Sequence, residues 1–439
     1  MSEPSPFRYR DYRAFWVARL ASTTANTMLV VVIGFHVYEI ARAELGMSIE
    51  QASFWLGMVG LAQFLPLFLL TLLAGYVADR VDRRWIVRIS LASEMLCAAA
   101  LAAMVLLDTV SLVPLFAVAI LLGIGRAFAM PALGSIAPNL VPPAVLPSAI
   151  ALNSIAWQIG MVAGPLIGGM AFAISRSLPY EASAVLYAVS LACMLLLRPI
   201  PRGDAGKSHP VRAVIEGLAY VRDNKIVLGA ISLDLFAVLL GGATAMLPVY
   251  ARDILHVGSE GLGALRAAPA AGAALMALIL TRWPLRRHVG TKMFVGVAIF
   301  GLATMIFGFS QWMWLSLAAL FVLGASDMIS IYVRSSLIQL HTPDAMRGRV
   351  SAVSGLFISA SNELGEFRAG LVGSVLGPVM AVVGGGALAV GVTGLCAWAF
   401  PSLRKADRFV VPEPELLAEA PGKDMPAAEA SVVPAGLRP

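Results

Sequence analysis

The chain has 439 residues, 59% of them hydrophobic and only 13% charged, with a mean hydropathy of +0.82. That composition excludes a soluble globular protein, and the net charge of +6 is dispersed between long apolar runs, so it does not mark a nucleic-acid-binding surface. The three cysteines, Cys97, Cys193 and Cys396, fall inside apolar runs and suggest neither a disulfide frame nor a metal cage.

Twelve spans of about twenty residues, the length a hydrocarbon core requires, are predicted. They run over 14–40, 53–78, 85–107, 112–136, 147–174, 180–199, 226–250, 259–281, 292–310, 312–335, 349–374 and 377–400. Basic residues precede span one (Arg8, Arg10, Arg13) and follow spans two (Arg80, Arg83, Arg84, Arg88), eight (Arg286, Arg287), ten (Arg347, Arg349) and twelve (Arg404, Lys405). If the spans alternate, all of these fall on one side. The positive-inside rule then predicts a multi-pass protein of the inner membrane with both termini cytoplasmic. Span one lacks a cleavage site and is expected to remain attached.

Span five contains Gly160-Met161-Val162-Ala163-Gly164-Pro165-Leu166-Ile167-Gly168-Gly169. Glycine and proline weaken an ordinary helix. In a membrane they allow close backbone approach. Gly160, Gly164 and Gly168 are four apart and share one face, which reads as a surface packed on a moving partner. Residues 200–225 divide the spans six and six, and 211–224 suit an amphipathic helix on the membrane surface. The expected organisation is a first bundle (1–199), a linker (200–225), a second bundle (226–400) and a disordered cytoplasmic tail (401–439) rich in Pro, Ala and Glu.

The halves resemble each other. An offset of 201 pairs Gly164 with Gly365 and Gly169 with Gly370, and an offset of 212 pairs Val37-Tyr38 with Val249-Tyr250. The predicted fold class is all-α integral membrane, with two pseudo-symmetric six-helix bundles and a substrate site between them.

Between spans two and three, Gly75-Tyr76-Val77-Ala78-Asp79-Arg80-Val81-Asp82-Arg83-Arg84 resembles the signature loop of the major facilitator superfamily. Gly75, Asp79, Arg80, Arg83 and Arg84 match, and Asp82 stands where glycine is common. The resemblance implies a latch at the cytoplasmic side; a solvated basic loop that only fixes topology is the plainer alternative. The stretch with Gly160, Gly164, Pro165, Gly168 and Gly169 resembles the superfamily's antiporter motif, which implies export in exchange for protons. Residues 342–350 resemble the bacterial multidrug, macrolide and siderophore exporter branch. The second half keeps basic residues over 281–292 but no acid matching Asp79.

Ionisable groups inside a bilayer are costly and suggest function. Arg126 in span four pairs with Asp327 in span ten under the 201 offset, so the two could face each other across a central cavity. Arg126 then reads as a ligand for an anionic group and Asp327 as a proton carrier, or the two form a static pair. Asp234, Glu363 and Glu366 are further proton-coupling candidates, with pairing to nearby basic groups as the alternative for each. Arg334, one helix face with Asp327, could gate or anchor. Asn26 and Gln158 could hydrogen-bond a substrate or link helices. Glu94 is expected to pair with the basic loop, and His36 to be solvated or packed. Phe128, Met130, Phe236 and Met246 are candidate cavity padding.

The sequence holds no phosphate-binding loop, metal-ligand spacing or nucleophile arrangement, so neither a cofactor nor enzymatic chemistry is expected. The reading is a monomeric secondary transporter whose partners are a small-molecule substrate, protons and the bilayer: a proton-coupled exporter of amphiphilic drugs or siderophores. A lysophospholipid flippase, an importer of a small organic solute and a non-transporting sensor remain alternatives.

Overall fold

A computed structural model describes residues 5–199, 210–285 and 287–407, and among them the chain is helical without strands. The first bundle comprises α1 (Arg10–Glu39), α2 (Ile49–Arg80), α3 (Arg83–Leu106), α4 (Leu112–Ile136), α5 (Leu146–Ile174) and α6 (Leu178–Leu195). α7 (Pro210–Asp223) is the linker helix. The second bundle comprises α8 (Lys225–Gly241) with its short continuation α9 (Leu247–Val249), then α10 (Gly258–Arg282), α11 (Val289–Phe309), α12 (Met313–Leu340), α13 (Asp344–Leu376) and α14 (Pro378–Ala399). Among the described residues, eleven segments are long and apolar enough to cross a membrane. α13 is the twelfth span: its 33 residues reach about 50 Å at the helical rise, but Glu363, Glu366 and Arg368 at its centre keep it out of the purely apolar set.

Local chemistry fixes the helix starts. Ser48 and Gln51 form a reciprocal capping box at α2, and the Asn224 side chain accepts from the backbone of Ile226 and Val227 at α8. Asp82 occupies the glycine-like position of the signature loop at an ordinary φ of −59° and caps α3 by accepting from the Arg84 backbone N–H. The chain therefore needs no glycine there. The signature stretch from Gly75 to Arg80 is itself helical, forming the end of α2.

Within the first bundle α1 packs on α5 and α6, α2 on α4, and α3 on α4 and α6. In the second bundle α10 packs on α12, α11 on α12 and α14, and α8 on α13 and α14. Two seams join the bundles, α2 against α13 and α5 against α10. The face bearing the N-terminus and α7 is called the linker face below, and the opposite one the far face.

Span seven differs from its expected continuous helix. α8 stops at Gly241, a 3-10 turn covers Thr244–Met246, and helix resumes at Leu247. Breaking a helix frees carbonyls that lipid cannot satisfy. Arginines supply the donors: Arg368 Nε donates to the Leu239 carbonyl at 3.0 Å, and Arg266 Nη1 to the Thr244 carbonyl at 3.0 Å. The tail boundary also differs, because Pro401–Arg404 forms α15 and Gly290 N–H donates to the Ala406 carbonyl. Residues 200–209 of the expected linker and 408–439 of the expected tail lie outside the described residues.

Candidate functional site

The glycine-rich stretch of α5 serves two surfaces. A Cβ at Gly160 would sit 2.7 Å from the Thr23 side chain, and one at Gly168 would sit 2.8 Å from Met28, while Gly164 meets Thr24 and Thr27. All three contacts are with α1, inside the first bundle. Thr27 Oγ1 also donates to the Gly160 carbonyl at 2.9 Å. Gly169 instead meets Gly263 of α10 across the seam, and Gly263 faces the Pro165 carbonyl. The second bundle repeats the division: Gly365 packs on Val238 and Leu239 of α8, while Gly370 meets Gly57 of α2. The face of Gly160, Gly164 and Gly168, expected to pack on a moving partner, thus lies within one bundle, and Gly169 is the glycine of the stretch that reaches the seam.

At the far face α1 and α9 each run into a π turn, Ile40–Glu44 and Tyr250–Ile254. Both close with matched bonds, Leu45 N–H to the Ile40 carbonyl and Leu255 N–H to the Tyr250 carbonyl. Both then take a left-handed residue, Gly46 and His256. The repeat offset here is therefore 210, not 212. It makes Arg42 and Arg252 equivalent, and each reaches an acid of the other bundle. Arg42 meets Asp253 at 3.0 Å and Arg252 meets Glu39 at 3.8 Å. Tyr38 Oη donates to Asp253 at 2.5 Å, and Arg176 adds contacts to Glu39 and Glu44. These bonds hold the far rim closed.

At mid-depth Arg126 of α4 does not face Asp327. Its Nη1 donates to Glu363 of α13 at 3.2 Å, crossing from one bundle to the other. The reason is topological: α13 packs on α2, which packs on α4, so α13 presents the acid. Glu366, one turn on, is held inside the second bundle by Arg266 Nη2 at 3.1 Å and by the Thr244 hydroxyl at 3.2 Å. Asp327 is half-buried and makes no hydrogen bond or ion pair with a described residue. Asp234 is not presented to a cavity. It is buried against Arg334 in an ion pair between α8 and α12, which is the anchoring alternative.

Gln158 crosses the second seam, donating from Nε2 to the Ala270 carbonyl at 2.8 Å. Asn26 keeps a buried Oδ1 without a partner. Glu94 is buried against Gly125, the neighbour of Arg126, rather than beside the basic loop. His36 is buried, with Nδ1 2.8 Å from Tyr180 Oη. Of the padding candidates, Met246 is fully buried, while Met130 and Phe236 are exposed. In the signature region Arg84 bonds Asp82 and the Leu197 carbonyl. Arg80 and Arg83 have partners as well. Gly75 and Asp79 are described only as helical backbone.

The chain as a whole has counterparts among known proteins. The family model described as transmembrane secretion effector covers residues 1–421. The chain belongs to that family. Its fold is that of the major facilitator superfamily. Enterobactin exporter EntS of Shigella boydii is 24% identical over 386 residues, covering 87% of this chain and 90% of that protein. The Escherichia coli exporter of the same name is 23% identical over the same shares. Among solved structures, an inward-facing bacterial homologue of the human lysosomal transporter Spinster aligns with a TM-score of 0.68 at 17% identity, over 90% of this chain and 98% of that one. A D-xylose-proton symporter aligns at 0.66 and 16%, over 88% and 97%.

Arg19, Gln63 and Arg266 are not among the expected site residues. Arg19 and Arg266 lie inside predicted spans, so the rule that singled out Arg126 applies to them equally. Arg19 Nε is buried without a hydrogen-bond partner among the described residues. Gln63 carries no charge, and only its burial reveals it.

Proposed function

We propose that this secretion effector is a proton-coupled exporter of amphiphilic small molecules of the drug or siderophore class. It works by alternating access in the inner membrane, with the linker face cytoplasmic. The observation that carries the reading is the Arg126–Glu363 pair, a carboxylate and a guanidinium that meet across the two bundles. A proton on Glu363 removes its charge and loosens the tie, and a donor group on the cargo meets the same carboxylate only in its unprotonated form. Deprotonation lets the pair reform, so proton and cargo compete for one contact. Asp327, with no hydrogen-bond or ion-pair partner among the described residues, is the second carboxylate open to a proton. Export rather than import is supported by the likeness to enterobactin exporters and by the antiporter-type glycines.

The test is transport into inside-out vesicles carrying the full chain, with enterobactin and an amphiphilic dye as cargo. An imposed pH gradient should drive accumulation, and cargo should dissipate the gradient. No response for either cargo would refute proton coupling. Full antiport by Glu363→Gln would remove this pair from the mechanism.

A further inference from the structure

Between the bundles, on the far side of the Arg126–Glu363 tie, lies a small pocket that is partly open to solvent. Its walls come from α1, α2, α10, α13 and the break after α8, and include Val30, Leu56, Gln63, Thr244, Arg266 and Glu366. Most of the lining is aliphatic, and two polar features stand out. Gln63 is 3% exposed, yet its amide makes no hydrogen bond with a described residue, and its Oε1 is buried without a partner. An unpaired amide is costly to keep in such a place, and buried polar groups without partners call for a functional explanation. Arg266 and Glu366 face each other at 3.1 Å and cancel in charge. A second net charge entering this low-dielectric space would find no counter-ion.

The polar features therefore favour a neutral guest with an apolar body and a hydrogen-bond donor at its tip. A half-turn of the amide, which no hydrogen bond with a described residue resists, presents Oε1 to the donor, and the body lies against the aliphatic walls. We propose that this cavity is a cargo subsite for the uncharged hydroxyl head of an amphiphile, with Gln63 as the acceptor. The inference rests on the transporter reading and names the chemistry of one end of the cargo. Occupancy also touches Thr244, whose hydroxyl and carbonyl are tied to Glu366 and Arg266. A guest here thus bears directly on the break in span seven, where discontinuous helices of transporters place their sites.

The test uses the purified full chain in detergent, with Cys97, Cys193 and Cys396 replaced by alanine and Val30→Cys as the reporter for N-ethylmaleimide. The probes are 4-nonylphenol and 4-nonylanisole, which differ by one donor. The phenol should halve the labelling rate at a concentration at least tenfold below that of the anisole. In Gln63→Leu the two should act alike. Absence of protection by the phenol, equal protection with Gln63 present, or a phenol preference that survives in Gln63→Leu each overturns the proposal. Val59→Cys and Gln63→Met repeat the comparison if a first variant fails to fold. Protection that persists in a chain unresponsive to a pH gradient sinks the proton-coupling reading and leaves the subsite standing.

Discussion

Replacing Glu363 by glutamine leaves Arg126 facing a neutral amide. At 3.2 Å the pair attracts by about 5 kcal/mol at an effective dielectric of about 20. Desolvation offsets more than half of that, because only 26% of the Arg126 side chain and 12% of the Glu363 side chain remain exposed. About 2 kcal/mol remains, roughly a 30-fold change in a two-state equilibrium. Because the tie joins the bundles in the conformation with the far rim closed, Glu363→Gln should move the population away from that conformation. Spin labels at Leu45 and His256, both exposed beyond the π turns of the two bundles, read this as a second, longer distance. Removing both partners, Arg126→Gln with Glu363→Gln, leaves no unpaired buried charge, so the double variant should shift the distance no further than the single one. A single variant whose distribution stays within threefold of the parent, or a double variant worse than the single, would refute the reasoning.

Four further outcomes are expected. Gly370→Val forces a side chain onto Gly57 and Ser53 at the first seam and should cost about 1–3 kcal/mol in thermal unfolding; Gly355→Val on the same helix meets nothing within 4 Å, and an equal loss there would dismiss the seam argument. Arg252→Glu should open the far rim in the spin-label distances by about 1 kcal/mol, given the partial exposure of the pair, and Glu39→Arg in the same chain should reverse it. Asp82→Ala removes the cap of α3 and should lower stability by about 1 kcal/mol at neutral pH. The bonds from Arg84 hold the Asp82 carboxyl below its usual range. Its contribution is therefore complete above the unfolded value of about 4 and fades as pH falls through the lower folded one, so unfolding curves of parent and variant should converge in acid. Asp327→Asn should abolish proton-driven accumulation in vesicles at unchanged expression, and intact antiport would exclude that carboxylate.

Hydropathy alone places the twelve helices, because a bilayer demands long apolar runs and tolerates little else. Their pairing is less legible. The offset of 201 aligns Arg126 with Asp327 along the chain, yet the partner of Arg126 is on α13, because α2 sits between α4 and α13. Position along a repeat says which residues are equivalent, not which ones touch. The π turns shift the apparent repeat from 212 to 210. Such turns leave no mark in apolar spacing, and the dipeptide match at 212 hid the equivalence of Arg42 and Arg252. The break after Gly241 is foreshadowed by Gly241-Gly242, but the arginines that satisfy its carbonyls come from α10 and α13 and are invisible locally. Asp234 was legible as a buried charge, and its partner Arg334 required the fold.

The two glycine contacts also set leverage. Gly169 is five residues from the far end of α5 and Gly263 five from that of α10. Gly57 and Gly370 lie eight and six residues from the far ends of α2 and α13. At 1.5 Å per residue, a line through both contacts runs about 8–12 Å below the far rim and about 35 Å from the linker-face end of α5. A rotation about that line is an unequal lever. A stroke of about 12 Å at the linker face corresponds to about 3 Å at the far rim. That smaller stroke is comparable to the 3.0 and 3.8 Å ion pairs it has to part, so one rigid motion trades a wide mouth on one side for a narrow release on the other.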